Sequence, residues 1–231
     1  MDIMTARMKL FNLQTQPPFA EEKLLSWHDI AFHDLHHFVV EEERYGSASV
    51  NVFRVVGTKH ASYAGRSWQD LLGRGVRMEH NLSRFTDNPG YYLGVGPKVP
   101  YMQYLSIDGG DMYVGDEGNH RTCIARFYFF TQGLTVLHGV TLLNFKIDWA
   151  FKSLCDDFRQ TVEYRGLPIY LSVGRRAVER RDATDWKIDK YVLSARVIDS
   201  RKHETYEFDF ISLQYYLEKL KKPWWKVWQV R

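Results

Sequence analysis

The sequence predicts an α+β fold in which helices flank a mixed sheet. Two observations lead to this prediction: stretches rich in β-branched residues recur along the chain, and they alternate with stretches whose apolar residues repeat at helical spacing. The composition agrees, because 45% hydrophobic and 26% charged residues in 231 residues are typical of a globular protein with a substantial core. The aromatic content of 15% is high, and it fits either a ring-rich core or rings on a binding surface.

The first half of the chain predicts an arm followed by mixed elements. Residues 1–20 predict a flexible N-terminal arm, because Pro17 and Pro18 prevent a helix from continuing, and residues 21–231 predict a single domain. In chain order the predicted elements are a loosely helical segment from Glu21 to Glu43, a strand from Val50 to Val56, a short helix from Ser67 to Leu72, and a long surface connection from Arg74 to Pro100.

The second half begins with the clearest local pattern, a hairpin. Two apolar runs flank Asp108-Gly-Gly-Asp111, a sequence typical of a tight turn. The predicted elements are strands at 101–107 and 112–114, helices at 122–130 and 148–164, strands at 169–173, 191–199 and 206–210, and a last helix at 212–222.

Cysteine content and charge bear on location and partners. Cys123 and Cys155 form neither a disulfide framework nor a zinc spacing, which favours the reducing cytoplasm, and no secretory signal or transmembrane segment is predicted. The region from Arg165 onward has 15 Lys and Arg against 9 Asp and Glu, whereas the rest has 16 against 19. This basic region favours DNA or another polyanion as partner, although solubility alone also explains it.

The segment most suited to chemistry is Gly118-Asn119-His120-Arg121, between the hairpin and an apolar helix. The free N–H groups of a helix's first turn form an anion site, and Gly118 lets the backbone approach a phosphate. Arg121 adds a bidentate donor, and His120 can exchange a proton near neutral pH. Before them, Asp116 and Glu117 could hold Mg²⁺ between phosphates.

A simple helix cap is the alternative interpretation of this segment, because Gly, Asn and Asp are common at helix starts. The pattern is neither a P-loop nor a dinucleotide-binding fingerprint.

The hairpin, the Gly-Asn-His-Arg sequence and the apolar helix after it resemble the signature of the ParB and sulfiredoxin superfamily. The resemblance implies a ParB/sulfiredoxin-like fold that binds ATP or another nucleoside triphosphate, with Mg²⁺, through Gly118, Asn119, His120, Arg121 and Thr122. It implies His120, Arg121 and Glu117 as catalytic residues, with Asp116 and Glu117 as metal ligands. Asn119 stands where sulfiredoxins have their catalytic cysteine, so sulfinic acid repair is not expected.

Within this superfamily the chain resembles small plasmid fertility-inhibition or oncogenic-suppression factors. That resemblance implies an ATPase and DNase in the cytoplasm that inhibits conjugative DNA transfer, with nucleotide, DNA and a conjugation or type IV secretion component as partners. The competing hypothesis is a non-enzymatic module that binds DNA or protein, and a third is a phosphotransferase.

Three other clusters have open interpretations. A predicted loop contains Arg175, Arg176, Arg180 and Arg181, which could bind a nucleic-acid backbone or be solvated. The histidines His33, His36 and His37 could bind a metal or be solvated. The tryptophans of the C-terminal tail, Trp224, Trp225 and Trp228, could stack on bases, settle in a membrane interface or pack on the core.

Overall fold

A computed structural model describes residues 11, 13, 15–30 and 32–222. Its strands are β1 (Leu25–Ser26), β2 (Val39–Asn51), β3 (Val55–Thr58), β4 (Gln103–Ile107), β5 (Met112–Val114), β6 (Val136–Ile147), β7 (Ile169–Ala183), β8 (Trp186–Asp199) and β9 (Glu204–Phe208). Its α-helices are α1 (Phe32–Leu35), α2 (Trp68–Arg74), α3 (Met78–Asp87), α4 (Gly90–Leu93), α5 (Asn119–Gln132), α6 (Trp149–Tyr164) and α7 (Phe210–Lys221). Short 3₁₀ helices span Trp27–Ile30, His36–Phe38 and Val52–Arg54.

Three of the helices begin at a side chain that accepts a hydrogen bond from the first turn. Ser67 caps α2, Asp148 caps α6 by accepting from the Phe151 amide at 2.8 Å, and Asp209 caps α7. Such caps satisfy N–H groups that have no partner within the helix. The predicted starts of these helices therefore lie within two residues of the observed ones.

The chain forms two compact units, and the first contains a mixed sheet. Unit 1 consists of the described residues up to Phe32, together with Glu42–Phe145 and Arg181–Ile188. Its strands follow the order β1-β3-β5-β4-β6-β2. The pairs β1/β3, β3/β5 and β4/β6 are parallel, whereas β4 and β5 form the predicted antiparallel hairpin.

Helices α2, α3 and α5 of unit 1 pack on one another. Their buried residues include Trp68, Leu71, Met78, Ile124 and Phe127, which share one apolar core with residues of the sheet. Because β5 leads directly to the start of α5, this packing places the loop at 115–118 next to α2 and α3.

Unit 2 consists of His33–Glu41, Lys146–Arg180 and the described residues from Asp189 onward. Helices α6 and α7 pack together in it, with the rings of Phe158 and Tyr216 stacked at 6.1 Å. Strand β8 pairs with β9 in antiparallel register.

The α+β class with a mixed sheet and flanking helices is confirmed, but three local predictions were wrong. The segment predicted as helical from Glu21 to Glu43 contains β1, short helical turns and the start of β2. The predicted connection from Arg74 to Pro100 contains α3 and α4, and the predicted arginine loop lies within β7. Among the described residues no helix is long and apolar enough to cross a membrane.

The predicted arm also differs where the structure describes it. Phe11, Phe19 and Ala20 are buried, and the Phe19 ring contacts the Phe127 ring edge-on at 5.2 Å. This aromatic packing ties the end of the predicted arm to the core of unit 1. The single domain predicted for residues 21–231 divides into the two compact units above.

Candidate functional site

The loop before α5 is held by Gln103 at the start of β4. The Gln103 side chain accepts from the Asp116 amide at 3.0 Å, its backbone carbonyl accepts from the Gly115 amide at 2.8 Å, and its own amide donates to the Glu117 carbonyl at 3.0 Å. The loop therefore reaches the helix start in a fixed path.

Gly118 forms the N-cap of α5 in a conformation that favours glycine. Its φ is +121°, and a Cβ there would lie 3.3 Å from Met102 Cβ. Glycine also has no side chain that could satisfy the first-turn amides, so these N–H groups remain available to a ligand by helix geometry. The site thus begins at an uncapped helix N-terminus.

Asn119 connects this helix start to the end of β3. The Thr58 hydroxyl donates to Asn119 Oδ1 at 2.6 Å and accepts from the His60 amide at 2.9 Å. Both Thr58 and Asn119 are buried. The two segments that flank the site are therefore joined by a buried hydrogen bond, which is costly to break.

His120 is half-buried against the turn that follows β3. Its Nε2 atom lies 3.3 Å from the Tyr63 hydroxyl, and a Cβ at Gly75 would lie 2.9 Å from its ring. Burial, and after it the positive charges of Arg77, Arg121, His60 and Arg66, lower the pKa of His120 to about 4. His120 is therefore neutral at pH 7.

Arg121 is held by three protein acceptors. It donates to the Pro100 carbonyl at 2.6 Å, to the Tyr91 hydroxyl at 3.2 Å and to Glu117 Oε2 at 3.1 Å. Its side chain is only 12% exposed. The guanidinium is thus fixed at the edge of the site and joins α5 to the segment after α4.

Helix α3, in a segment predicted as a surface connection, supplies the second wall of the site. Arg77, His80, Asn81 and Arg84 follow i, i+3, i+4, i+7 spacing and line one cleft. Arg77 and Arg84 are exposed, and neither side chain forms a hydrogen bond or ion pair with the described residues. The sequence does contain a pattern from which this helix could have been predicted. Met78, Leu82 and Phe85 repeat at helical spacing, and they form its opposite, buried face.

These residues surround a cleft of about 700 Å³ within unit 1, which we call the cationic cleft. It is lined by the cations and histidines Arg66, Arg77, Arg84, Arg121, His60, His80 and His120, and by the carboxylates Asp116 and Glu117. Asp116 is already paired with Lys59 at 2.9 Å, and Glu117 with Arg121. Because Arg77 and Arg84 lack such compensation, the cleft is suited to an anion.

The structure brings most of the predicted loop residues to this cleft. Asp116, Glu117, Gly118, Asn119, His120 and Arg121 all line it. Thr122, predicted with them as a nucleotide-binding residue, does not, because it is fully buried with its hydroxyl 2.8 Å from the Tyr104 hydroxyl. Its role is packing within the core.

The predicted metal ligands are engaged with cations. Asp116 and Glu117 each have the basic partner described above. In the described part of the chain, no group of three or more His, Cys, Asp or Glu side chains is placed to hold a metal ion. Any Mg²⁺ at Asp116 or Glu117 would therefore compete with an existing ion pair, and its ligands would have to include phosphate oxygens.

The arginines predicted to bind nucleic acid lie on β7 rather than on a loop. Arg175, in unit 2, lies 4.3 Å from the Tyr191 ring centroid and bonds His36 Nε2 at 2.8 Å. Arg176 is exposed, Arg180 lies 3.9 Å from Asp189, and Arg181 belongs to unit 1. The sequence predicts a loop there because the four arginines lie between the predicted strands at 169–173 and 191–199.

The remaining sequence candidates have other surroundings. The histidine cluster does not lie on one helix, since α1 ends at Leu35, and His33 contacts Asp34 at 3.2 Å. Cys123 is buried with its thiol 3.3 Å from the Trp68 carbonyl. The tryptophans of the C-terminal tail lie outside the described residues.

Scans against protein-family models, curated proteins and solved structures found no match to this chain.

Proposed function

We propose that the cationic cleft binds the phosphates of a nucleoside triphosphate, and that the protein is a phosphohydrolase of ParB/sulfiredoxin type. The observation that supports this most directly is the pair of uncompensated guanidiniums, Arg77 and Arg84, beside the uncapped start of α5. Guanidiniums and first-turn amides are the groups that proteins use to bind phosphate. A cleft of about 700 Å³ is also within the usual range for such ligands.

Each residue has a defined part in this proposal. Arg77 and Arg84 neutralise phosphate charge, and the amides at the start of α5 donate to phosphate oxygens. Neutral His120 can accept a proton from an attacking water, while fixed Arg121 stabilises charge on the transferred phosphoryl group. Glu117 then holds Arg121 in place and is its positioning residue.

Magnesium enters the proposal as an ion that arrives with the triphosphate. When bound, it would neutralise phosphate charge, with Asp116 and Glu117 as the nearest protein ligands. Each carboxylate is also within ion-pair distance of a basic side chain of the protein.

The wider role proposed for the protein is ATP-dependent DNA cleavage in the cytoplasm that inhibits conjugative transfer, with DNA and a conjugation or type IV secretion component as partners. Exposed Arg176 of β7 is the residue from the predicted DNA-binding set best suited to contact a DNA phosphate. Its strand position changes the geometry of that contact but not its chemistry.

A second candidate function is nucleotide or DNA binding without turnover. The observation that favours it is the pairing of both cleft carboxylates, so that neither is free to accept a proton from water and His120 is the proton acceptor at the start of α5. With a pKa of about 4, His120 is a weak base.

Calorimetry and turnover assays on the purified chain test these proposals. We expect ATP to bind and Arg77→Gln to weaken binding by about tenfold or more, because one charged hydrogen bond is lost. Arg74→Gln is the matched control, since Arg74 is 85% exposed, lies near Arg77 in sequence and does not line the cleft.

Phosphate release with Mg²⁺, and nicking of plasmid DNA, separate the two candidates. Turnover that falls in Arg77→Gln supports the hydrolase, and binding without turnover supports the module. Equal ATP affinity in the wild type and Arg77→Gln would remove the cationic cleft as the phosphate site.

A further inference from the structure

A second cavity of about 380 Å³ adjoins the cationic cleft, and we call it the side pocket. Asn81, Arg84, Pro100 and Arg121 line both cavities. The two spaces therefore meet at these residues, which places the side pocket within reach of a ligand whose phosphates occupy the cleft.

The side pocket has aromatic and apolar surface beside its polar residues. Tyr91 forms one wall, with Val99 and Pro100 contributing further apolar surface. The Tyr91 hydroxyl donates to the Pro100 carbonyl at 2.7 Å and accepts from Arg121 at 3.2 Å, and its ring meets the Tyr92 ring edge-on at 5.0 Å. A ring fixed in this way offers a preformed surface for a flat ligand.

One carboxylate in the side pocket is not engaged. Asp87, at the end of α3, is exposed and forms no hydrogen bond or ion pair with the described residues. A carboxylate only accepts hydrogen bonds, so its natural partner is an N–H donor on the ligand. The same carboxylate would repel a phosphate. The side pocket is therefore suited to a hydrogen-bond donor, whereas the cationic cleft is suited to an anion.

From these contacts we infer that the side pocket is a nucleobase subsite, in which the base lies against Tyr91 and donates an amino group to Asp87. This inference rests on the phosphate site proposed above and adds its selectivity. The ligand is then an amino-bearing nucleoside triphosphate such as ATP, rather than an inorganic polyphosphate or a base without an amino group.

Calorimetry with three ligands tests the subsite on the full chain: inorganic tripolyphosphate, ATP, and purine riboside 5′-triphosphate, which lacks only the amino group of adenine. We expect ATP to bind about tenfold tighter than tripolyphosphate, because a base stacked on an aromatic ring adds that much affinity. Purine riboside triphosphate should lie between the two.

Asp87→Asn should reduce the ATP preference over purine riboside triphosphate toward onefold, since a neutral amide oxygen replaces the charged acceptor. Asp111→Asn is the matched control, because Asp111 is also exposed in unit 1 and lines neither cavity. Affinity ratios within each variant cancel the general effect of removing one negative charge.

Equal affinities for ATP and tripolyphosphate would overturn the subsite and leave the phosphate site standing. Failure of all three ligands to bind would overturn the phosphate site itself. An ATP preference over purine riboside triphosphate that is unchanged in Asp87→Asn would overturn the assignment of Asp87 and the amino selectivity with it.

Discussion

The pKa of His120 is the most direct physical measure of the cationic cleft. We predict that Arg77→Gln raises this pKa from about 4 toward, but not up to, the ordinary value of 6.5. The rise follows because the Arg77 guanidinium disfavours a second positive charge nearby. It remains incomplete because burial, the largest cause of the lowering, is unchanged by the substitution.

The structure also limits the size of the effect. The whole lowering from 6.5 to about 4 corresponds to at most about 3 kcal/mol against the charged imidazole, and solvent at the half-buried ring reduces this figure. Arg77 accounts for a part of it, so the expected change is below about 1.5 kcal/mol, or roughly one pKa unit.

An NMR titration of the histidine ring resonances measures the value, with the signal of His120 assigned from a His120→Asn spectrum. Arg74→Gln serves as control for a charge lost outside the cleft and should leave the titration unchanged. The reasoning fails if wild-type His120 titrates near 6.5, or if its pKa stays the same or falls in Arg77→Gln.

Four further predictions concern affinity and stability. Triphosphate binding favours the charged form of His120 and therefore raises its pKa above about 4. Calorimetry should then show an affinity for triphosphate that rises as pH falls from the pKa of the bound state to about 4 and is constant below it. An affinity that does not depend on pH contradicts this prediction. Because the folded-state pKa of His120 is depressed, stability should be lost as pH falls from 6.5 through about 4, and less so in His120→Asn by urea unfolding at each pH. Gly118→Ala should lower the free energy of unfolding in urea by about 1 to 3 kcal/mol, because φ at this position is +121°. A decrease of less than half of the lower figure would refute the strain argument. Arg126→Ala should cost about 3 kcal/mol or more, since it removes a fully buried side chain that donates to the Val55 carbonyl and packs on Trp68, and a near-neutral change would show that the core refills the space.

Local sequence patterns were sufficient to predict the elements whose ends carry characteristic turn or capping residues. The hairpin turn at Asp108 and Gly109 has both residues at positive φ, and α6 begins at Asp148, as capping chemistry predicts. Gly118 to Arg121 were placed at the start of a helix by the same reasoning, and the structure puts them on the cleft.

The missed elements are those in which tertiary packing decides between competing local patterns. The run Asp87-Asn88-Pro89-Gly90 is typical of a loop, and the prediction of a loop was extended over the residues before it. Those residues form α3, which ends at Asp87. Strand β2 begins among residues with loosely helical spacing, and its pairing within the sheet overrides that preference. The second wall of the cleft was lost with α3, so the sequence predicted only half of the site.

The three bonds that hold Arg121 have a thermodynamic consequence. A guanidinium that is already immobilised loses little conformational freedom when a ligand arrives, whereas the exposed side chains of Arg77 and Arg84 must each be ordered at a cost of about 0.5 to 1.5 kcal/mol. A substitution that removes one of the hydrogen bonds holding Arg121 would therefore make the entropy of ligand binding less favourable, even when Arg121 still contacts the ligand.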